Sequence, residues 1–200
     1  MMTWLNSIID GFQIFGALAL PVFVPAAVLP MILSRKYNMF QLLLKELFLL
    51  YLCCVAALTF LPLPTLESAV ELTYQAQLIP FYFVVCVAKN FCLTEILHVL
   101  LNVVMTIPFG MFLSYCYKMN VKKVVLFSFG LSLLIEVGQL TGLFFLFQGS
   151  YRLFDVDDLL CNTLGGLIGY LMICKAGRFL PAISNFDREL VFKKRPVLNA

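Results

Sequence analysis

"FDVDDLLCNTLGG", residues 154–166, places three carboxylates (Asp155, Asp157, Asp158) and one asparagine (Asn162) at the front of a segment that then runs without a further charge to Lys175. Such a stretch matches the ~20 apolar residues that cross a hydrocarbon core of about 30 Å at 1.5 Å per residue. The rest of the chain has the same texture. Of its 200 residues 62% are hydrophobic, 12% are charged and 20 are phenylalanine. Soluble domains carry about 25% charged residues, so a water-soluble globule is excluded. The sequence reads as an all-α, polytopic transmembrane bundle forming a single membrane domain over 1–200.

Hydropathy places about five spans, near 12–33, 45–63, 94–117, 124–147 and 156–175. The first lacks the basic start and small-residue cleavage site of a signal peptide and reads as a retained span, kinked by Pro21, Pro25 and Pro30. The seven cysteines are odd in number and show no CxxC spacing, so neither a disulfide framework nor a zinc site is signalled. Twelve of the fourteen lysines and arginines fall after the first, third and fifth spans; only Lys89 and Arg152 fall opposite. The positive-inside rule then puts the N-terminus outside and the basic tail, 176–200 with "FKKRP" at 192–196, in the cytoplasm. Asp10, Glu67, Glu71 and the 155/157/158 acids face outward. In the segment 64–93, "LIPFYFVVCVA" (78–88) is too short to cross and is interrupted by Pro80, which suits a re-entrant or interfacial piece.

Three spans carry polar stripes. At about 100° per residue, Glu95, His98, Asn102 and Thr106 share one helical face, as do Ser128, Ser132, Glu136 and Gln139. On the last span, Asp155, Asp158, Asn162, Gly165, Gly166 and Gly169 share an arc, while Asp157 points elsewhere. Asn102 and Asn162 lie about 10 Å inward from the outer ends of their helices and Gln139 about 12 Å inward, so the stripes meet in the outer half of the bilayer. An acid at that depth is tolerated when it faces a bundle interior or watery cavity and finds a partner. Gly165 and Gly169 form a GxxxG that lets a neighbouring backbone approach. Pro108 frees the Val104 carbonyl and bends its helix below the stripe. Arg152 and Asp155 are spaced for an ion pair at the helix start, and Asp155 or Asp157 suits an N-cap.

In order, "QLIPF" (77–81), "NVVMTIPFG" (102–110), "EVGQ" (136–139) and "RLFDVDDLLCNTLGGLIG" (152–169) resemble the VanZ-like membrane proteins, a family whose namesake is associated with teicoplanin resistance. The resemblance covers a core of about 77–170 and leaves the first two spans and the tail unmatched. Carried over onto this sequence, the family's recurrent positions are Asn102, Pro108, Gly110, Glu136, Gln139, Arg152, Asp155, Asp158, Asn162, Gly165, Gly166 and Gly169. Gln77 departs from it, since the family often has asparagine there. The resemblance implies a bacterial plasma-membrane location and a link to glycopeptide or envelope stress, with no established mechanism.

Two functions compete. In the first, Asn102, Glu136, Gln139 and Asn162, with Glu95, His98, Arg152, Asp155 and Asp158 around them, line an outward-facing pocket. That pocket would hold an amphiphile, either a lipoglycopeptide or a lipid-linked cell-wall precursor, among membrane lipids. In the second, an enzyme acts on a lipid-linked envelope substrate with Glu136 as general acid or base and Asp155, Asp157 and Asp158 holding a divalent cation. His98 is the only histidine, which excludes chemistry that needs paired histidines. No GxSxG, HExxH or GxxxxGK[ST] occurs, so serine-hydrolase, zincin and nucleotide-driven chemistry have no local support, and no cofactor or nucleic-acid partner is signalled. A transporter lacks the expected inverted repeat. A role as a partner to another membrane protein remains an alternative.

Overall fold

The computed structural model describes residues 36–61, 75–90, 93–147, 150, 152–177, 179–186 and 188–189, with isolated helical positions between Ile9 and Leu29. Most of the first expected span, Asp10, Glu67, Glu71 and the "FKKRP" cluster therefore lie outside the described residues. Helix α1 is Met39–Phe60, α2 Tyr82–Asn90, α3 Leu93–Tyr117, α4 Val121–Leu140, α5 a single turn at Gly142–Phe145, and α6 Val156–Ala176. Strand pairs join distant parts of the chain: β1 (Lys36–Tyr37) is antiparallel to β4 (Arg188–Glu189), and β2 (Ala76–Gln77) is parallel to β3 (Phe154–Asp155).

Local chemistry sets the ends. Asn38 caps α1 by accepting from Gln41 N–H (2.8 Å), and Asn120 caps α4 by accepting from Lys123 N–H (3.0 Å). α1 therefore starts six residues before the expected 45, and α4 three before the expected 124. α4 also stops at Leu140 rather than 147. Thr141 caps it, and Gly142 to Phe145 turn with φ between 56° and 70°, the left-handed region that a continuing helix does not visit. Aromatic composition alone made that turn look like more span. Pro80 lies in the turn before α2 rather than inside a helix, so the short apolar run bends and then coils.

Among the described residues three helices, α1, α3 and α6, are long and apolar enough to cross a membrane. α3 and α6 run parallel with a constant offset, Asn102 meeting Asp158, Thr106 meeting Asn162 and Gly110 meeting Gly166. α4 runs antiparallel to both, with Ser128 against Gly166 and Ser132 against Asn162. α1 is antiparallel to α3, since Tyr51 donates to the Met105 carbonyl (2.8 Å) while Phe48, about one turn earlier, stacks on Phe112, about two turns later. The close approach of α3 and α6 depends on glycine. A Cβ at Gly110 would lie 1.9 Å from the Gly166 carbonyl oxygen, and one at Gly169 would lie 2.1 Å from that of Ile107.

The burial pattern is inverted relative to a soluble domain. Glu136, Asn162, Thr106, Ser128 and Ser132 are among the most deeply buried side chains, while Leu126, Phe127, Phe129, Leu133 and Leu134 of α4 are exposed. An apolar core does exist at one end, where Phe109, Leu113 and Val124 pack with Phe48, Tyr51 and Leu131. At the other end the bundle centre is polar, and that is where the candidate site lies.

Candidate functional site

Between the upper halves of α1 and α3, and floored by α4 and α6, lies a cavity of about 550 Å³. Its polar lining includes His98, Asn102, Glu136, Gln139, Arg152, Asp158 and Asn162; its apolar lining includes Leu58, Leu101, Val104, Pro108 and Ile135. The size falls within the ~300–1,000 Å³ of small-molecule sites. Seven of the nine residues expected to bind ligand thus meet at one place. Glu95 and Asp155 lie beside it, half-buried and not in its lining.

The geometry follows from a chain of side-chain-to-backbone bonds. Glu136, 1% exposed, accepts the Asp155 N–H through Oε2 at 2.9 Å. The Asp155 carboxylate in turn accepts the Asp157 N–H (2.8 Å) and caps α6. Burial raises the Asp155 carboxyl above the usual aspartate range, and the Asp157 N–H bond opposes that shift. Asp157 is indeed turned away from the stripe. It is 3% exposed and accepts the N–H groups of Phe81 (2.5 Å) and Phe83 (3.2 Å), fixing the start of α2. Asp158 takes Asn102 Nδ2–H at 2.5 Å and lies 3.6 Å from His98 Nε2. The three aspartates therefore hold three separate partners, and among the described residues no group of three or more His, Cys, Asp or Glu side chains is placed to hold a metal.

Arg152 corrects an expectation. Rather than pairing with Asp155, it donates to the carbonyls of Leu61 (2.8 Å) and Leu58 (3.4 Å), where the last carbonyls of α1 have no helical partner and the helix dipole favours a cation. Gln139 supports the same helix end by donating to the Thr59 carbonyl (2.9 Å). Gln77, whose role the sequence left open, folds its amide onto its own turn: Nε2 donates to the Ile79 carbonyl and Oε1 accepts the Ile79 N–H.

At the floor, Asn162 Nδ2 donates to Ser132 Oγ (2.9 Å), and the Ser132 hydroxyl points at the Asp158 carbonyl (3.4 Å). That direction of the hydroxyl proton orients the amide, which the hydrogen-bond network assigns. It leaves Asn162 Oδ1 buried and without a partner among the described residues. Below the cavity, Tyr51 and Pro108 form a partition, because both also line a second space of about 390 Å³ walled by Phe40, Leu44, Phe48 and Ile173.

The family model described as VanZ/LLP1 matches residues 48–179. The chain belongs to this family. No match is found among curated proteins or among solved structures. The VanZ/LLP1 match takes in every residue of the cavity lining, from Tyr51 to Asn162. It also reaches into α1, which the four sequence blocks did not cover. Tyr51, Thr59 and the α1 carbonyls were missed by sequence reasoning. The one available signal was a tyrosine and a threonine set in an otherwise apolar span.

Proposed function

We propose that this VanZ-family chain binds a lipid-linked or amphiphilic molecule in the cavity between α1 and α3, and that this binding underlies a role in glycopeptide, above all teicoplanin, resistance or envelope stress. The observation that carries the reading is the cavity's composition: buried amides and acids on one wall, and Leu58, Leu101, Val104 and Pro108 on the other. An amphiphile satisfies both walls at once, whereas packing alone gives no reason to keep 550 Å³ open beside Glu136.

In this proposal α4 also crosses the bilayer, as its exposed leucines and phenylalanines favour. With the span at 12–33, the count is five, the N-terminus is outside and the site opens to the outer leaflet of a bacterial plasma membrane. The antiparallel order of α1, α3, α4 and α6 supports this orientation. It sets Lys45, Lys118, Lys122, Lys123 and Lys175 at one end of the bundle and Lys89 and Arg152 at the other. The apolar run 78–88 then rests at the outer interface, with Leu78, Ile79 and Phe81 exposed. The enzymatic alternative needs Asp155, Asp157 and Asp158 to share a cation, yet each is engaged with a different group, so binding is the favoured reading.

The test is teicoplanin and vancomycin susceptibility of cells expressing the wild type, Glu136→Ala, Asp158→Ala or Asn162→Ala at matched protein levels. Protection that is lost in the variants supports the proposal; full protection in all three refutes it. Cysteines placed at Leu153 and Lys122 check the orientation in the same cells, the first reacting with an impermeant reagent from outside and the second not.

A further inference from the structure

Around the cavity each side-chain amide and the guanidinium commits at least one N–H to the protein, while some oxygens are left without a partner. Asn102 Nδ2 is held by Asp158, Asn162 Nδ2 by Ser132, Gln139 Nε2 by Thr59, and the Arg152 guanidinium by the carbonyls of Leu58 and Leu61. On the acceptor side, Asn162 Oδ1 has no partner, although the residue is 2% exposed and lines the space. Glu136 uses only Oε2, so its second oxygen is left to the cavity. Asp158 adds another carboxylate, 3.6 Å from a histidine whose side chain is 57% exposed at the rim.

Ser128 Oγ, the other buried polar atom without a partner among the described residues, sits at the α4–α6 contact against Gly166 and outside the lining. The unmet acceptor at Asn162 is therefore a property of the cavity. An unsatisfied buried acceptor costs about 1–3 kcal/mol, which a guest bringing a donor recovers.

Resting on the binding role proposed above, we infer that the headgroup recognised in this cavity is a hydrogen-bond donor carrying positive charge, a protonated amine on an alkyl chain, and that it is not a phosphate. The ammonium donates to Asn162 Oδ1 and the free Glu136 oxygen, with Asp158 supplying the remaining countercharge. A –NH₃⁺ group has three donors and no acceptor, which suits the unpartnered oxygens of Asn162 and Glu136. The chain leaves along Leu101, Val104 and Pro108 toward the lipid.

The experiment uses full-length protein in nanodiscs of zwitterionic lipid, titrated with radiolabelled dodecylammonium and dodecyl phosphate, with empty nanodiscs as the blank. The expected result is saturable dodecylammonium binding about tenfold or more tighter than dodecyl phosphate. Glu136→Gln keeps an acceptor for the Asp155 N–H and replaces the free oxygen with an amide N–H donor; it should weaken dodecylammonium by about tenfold and leave dodecyl phosphate unchanged or tighter. Asp158→Asn, read by the same ratio, serves if Glu136→Gln does not accumulate. Equal or tighter phosphate binding by the wild type overturns the amine headgroup and leaves the pocket standing. Undiminished dodecylammonium binding in both variants also overturns it. Binding of neither probe above the blank removes the pocket itself, and the inference with it.

Discussion

Gly110→Ala tests the fold at its tightest point. The added Cβ would lie 1.9 Å from the Gly166 carbonyl oxygen, whereas real Cβ contacts essentially never fall under 3.0 Å. The obstruction is backbone, so no rotamer relieves it, and α3 and α6 must part by about 1 Å. One turn above, the Thr106 hydroxyl donates to the Asn162 carbonyl at 2.8 Å, and one turn above that Asn102 reaches Asp158 at 2.5 Å. A shift of that size takes both to or beyond hydrogen-bond range. Overpacking costs ~1–3 kcal/mol and each of the two interhelical bonds ~0.6–1.5 kcal/mol, so the expected loss is about 2–6 kcal/mol. Gly130→Ala on α4 is the control, because nothing lies within 4 Å of its added Cβ. Alanine's helix preference should make that variant more stable by up to ~1 kcal/mol. Thermal unfolding followed by fluorescence-detected size exclusion compares the two. A Gly110→Ala protein as stable as wild type and Gly130→Ala would refute the direct backbone contact between α3 and α6.

Two further outcomes follow from the bonds around the site. Arg152→Lys should loosen the upper end of α1 nearly as much as Arg152→Ala, by about 1–3 kcal/mol, because one ammonium does not span the two carbonyls that the guanidinium fork reaches; faster amide exchange over 57–61 in both variants is the readout, and full protection by lysine would count against the fork. Asp157→Ala removes the acceptor for two backbone N–H groups, so exchange at Phe81 and Phe83 should rise about tenfold or more while the α3–α6 contact stays protected, and unchanged exchange there would deny Asp157 this role.

The readable part of this fold was the part governed by period and composition. Apolar runs of about 20 residues located α3 and α6 to within one residue at each end and α1 to within six, because lipid-facing helices must be apolar along their whole length. The 3.6-residue period brought Asn102, Glu136, Gln139, Asp158 and Asn162 onto converging faces, and the structure places all five in one lining. What escaped was set by backbone atoms, which carry no letter. Arg152 is addressed to the carbonyls of Leu58 and Leu61, so no spacing of charges reveals it, and the nearby acid invited a pairing the structure does not make. The left-handed turn after Leu140 was hidden for a related reason: Leu143, Phe144 and Phe145 are apolar enough to span and differ from a span only in φ. α1's place in the site was also invisible, because its contribution is mostly shape and the carbonyls at its end that accept from Arg152 and Gln139.

The concentration of acids at residues 155–158 has its explanation in the same backbone chemistry. Where a membrane helix begins, its first N–H groups need acceptors, and here they lie beside a short parallel strand pair and an irregular turn that need acceptors too. Asp155 caps its own helix, and Asp157 closes the Phe81–Phe83 turn. Glu136 reaches over from α4 to take the N–H of Asp155 itself. The result is a ladder running from the cavity wall to the 78–90 segment, in which each carboxylate holds the backbone of the next element. Asp158 is the exception, since its partners are side chains, Asn102 and His98, and it lines the cavity. Three acids that resemble a metal cluster in sequence thus divide into two that build the upper end of the bundle and one that faces whatever enters it.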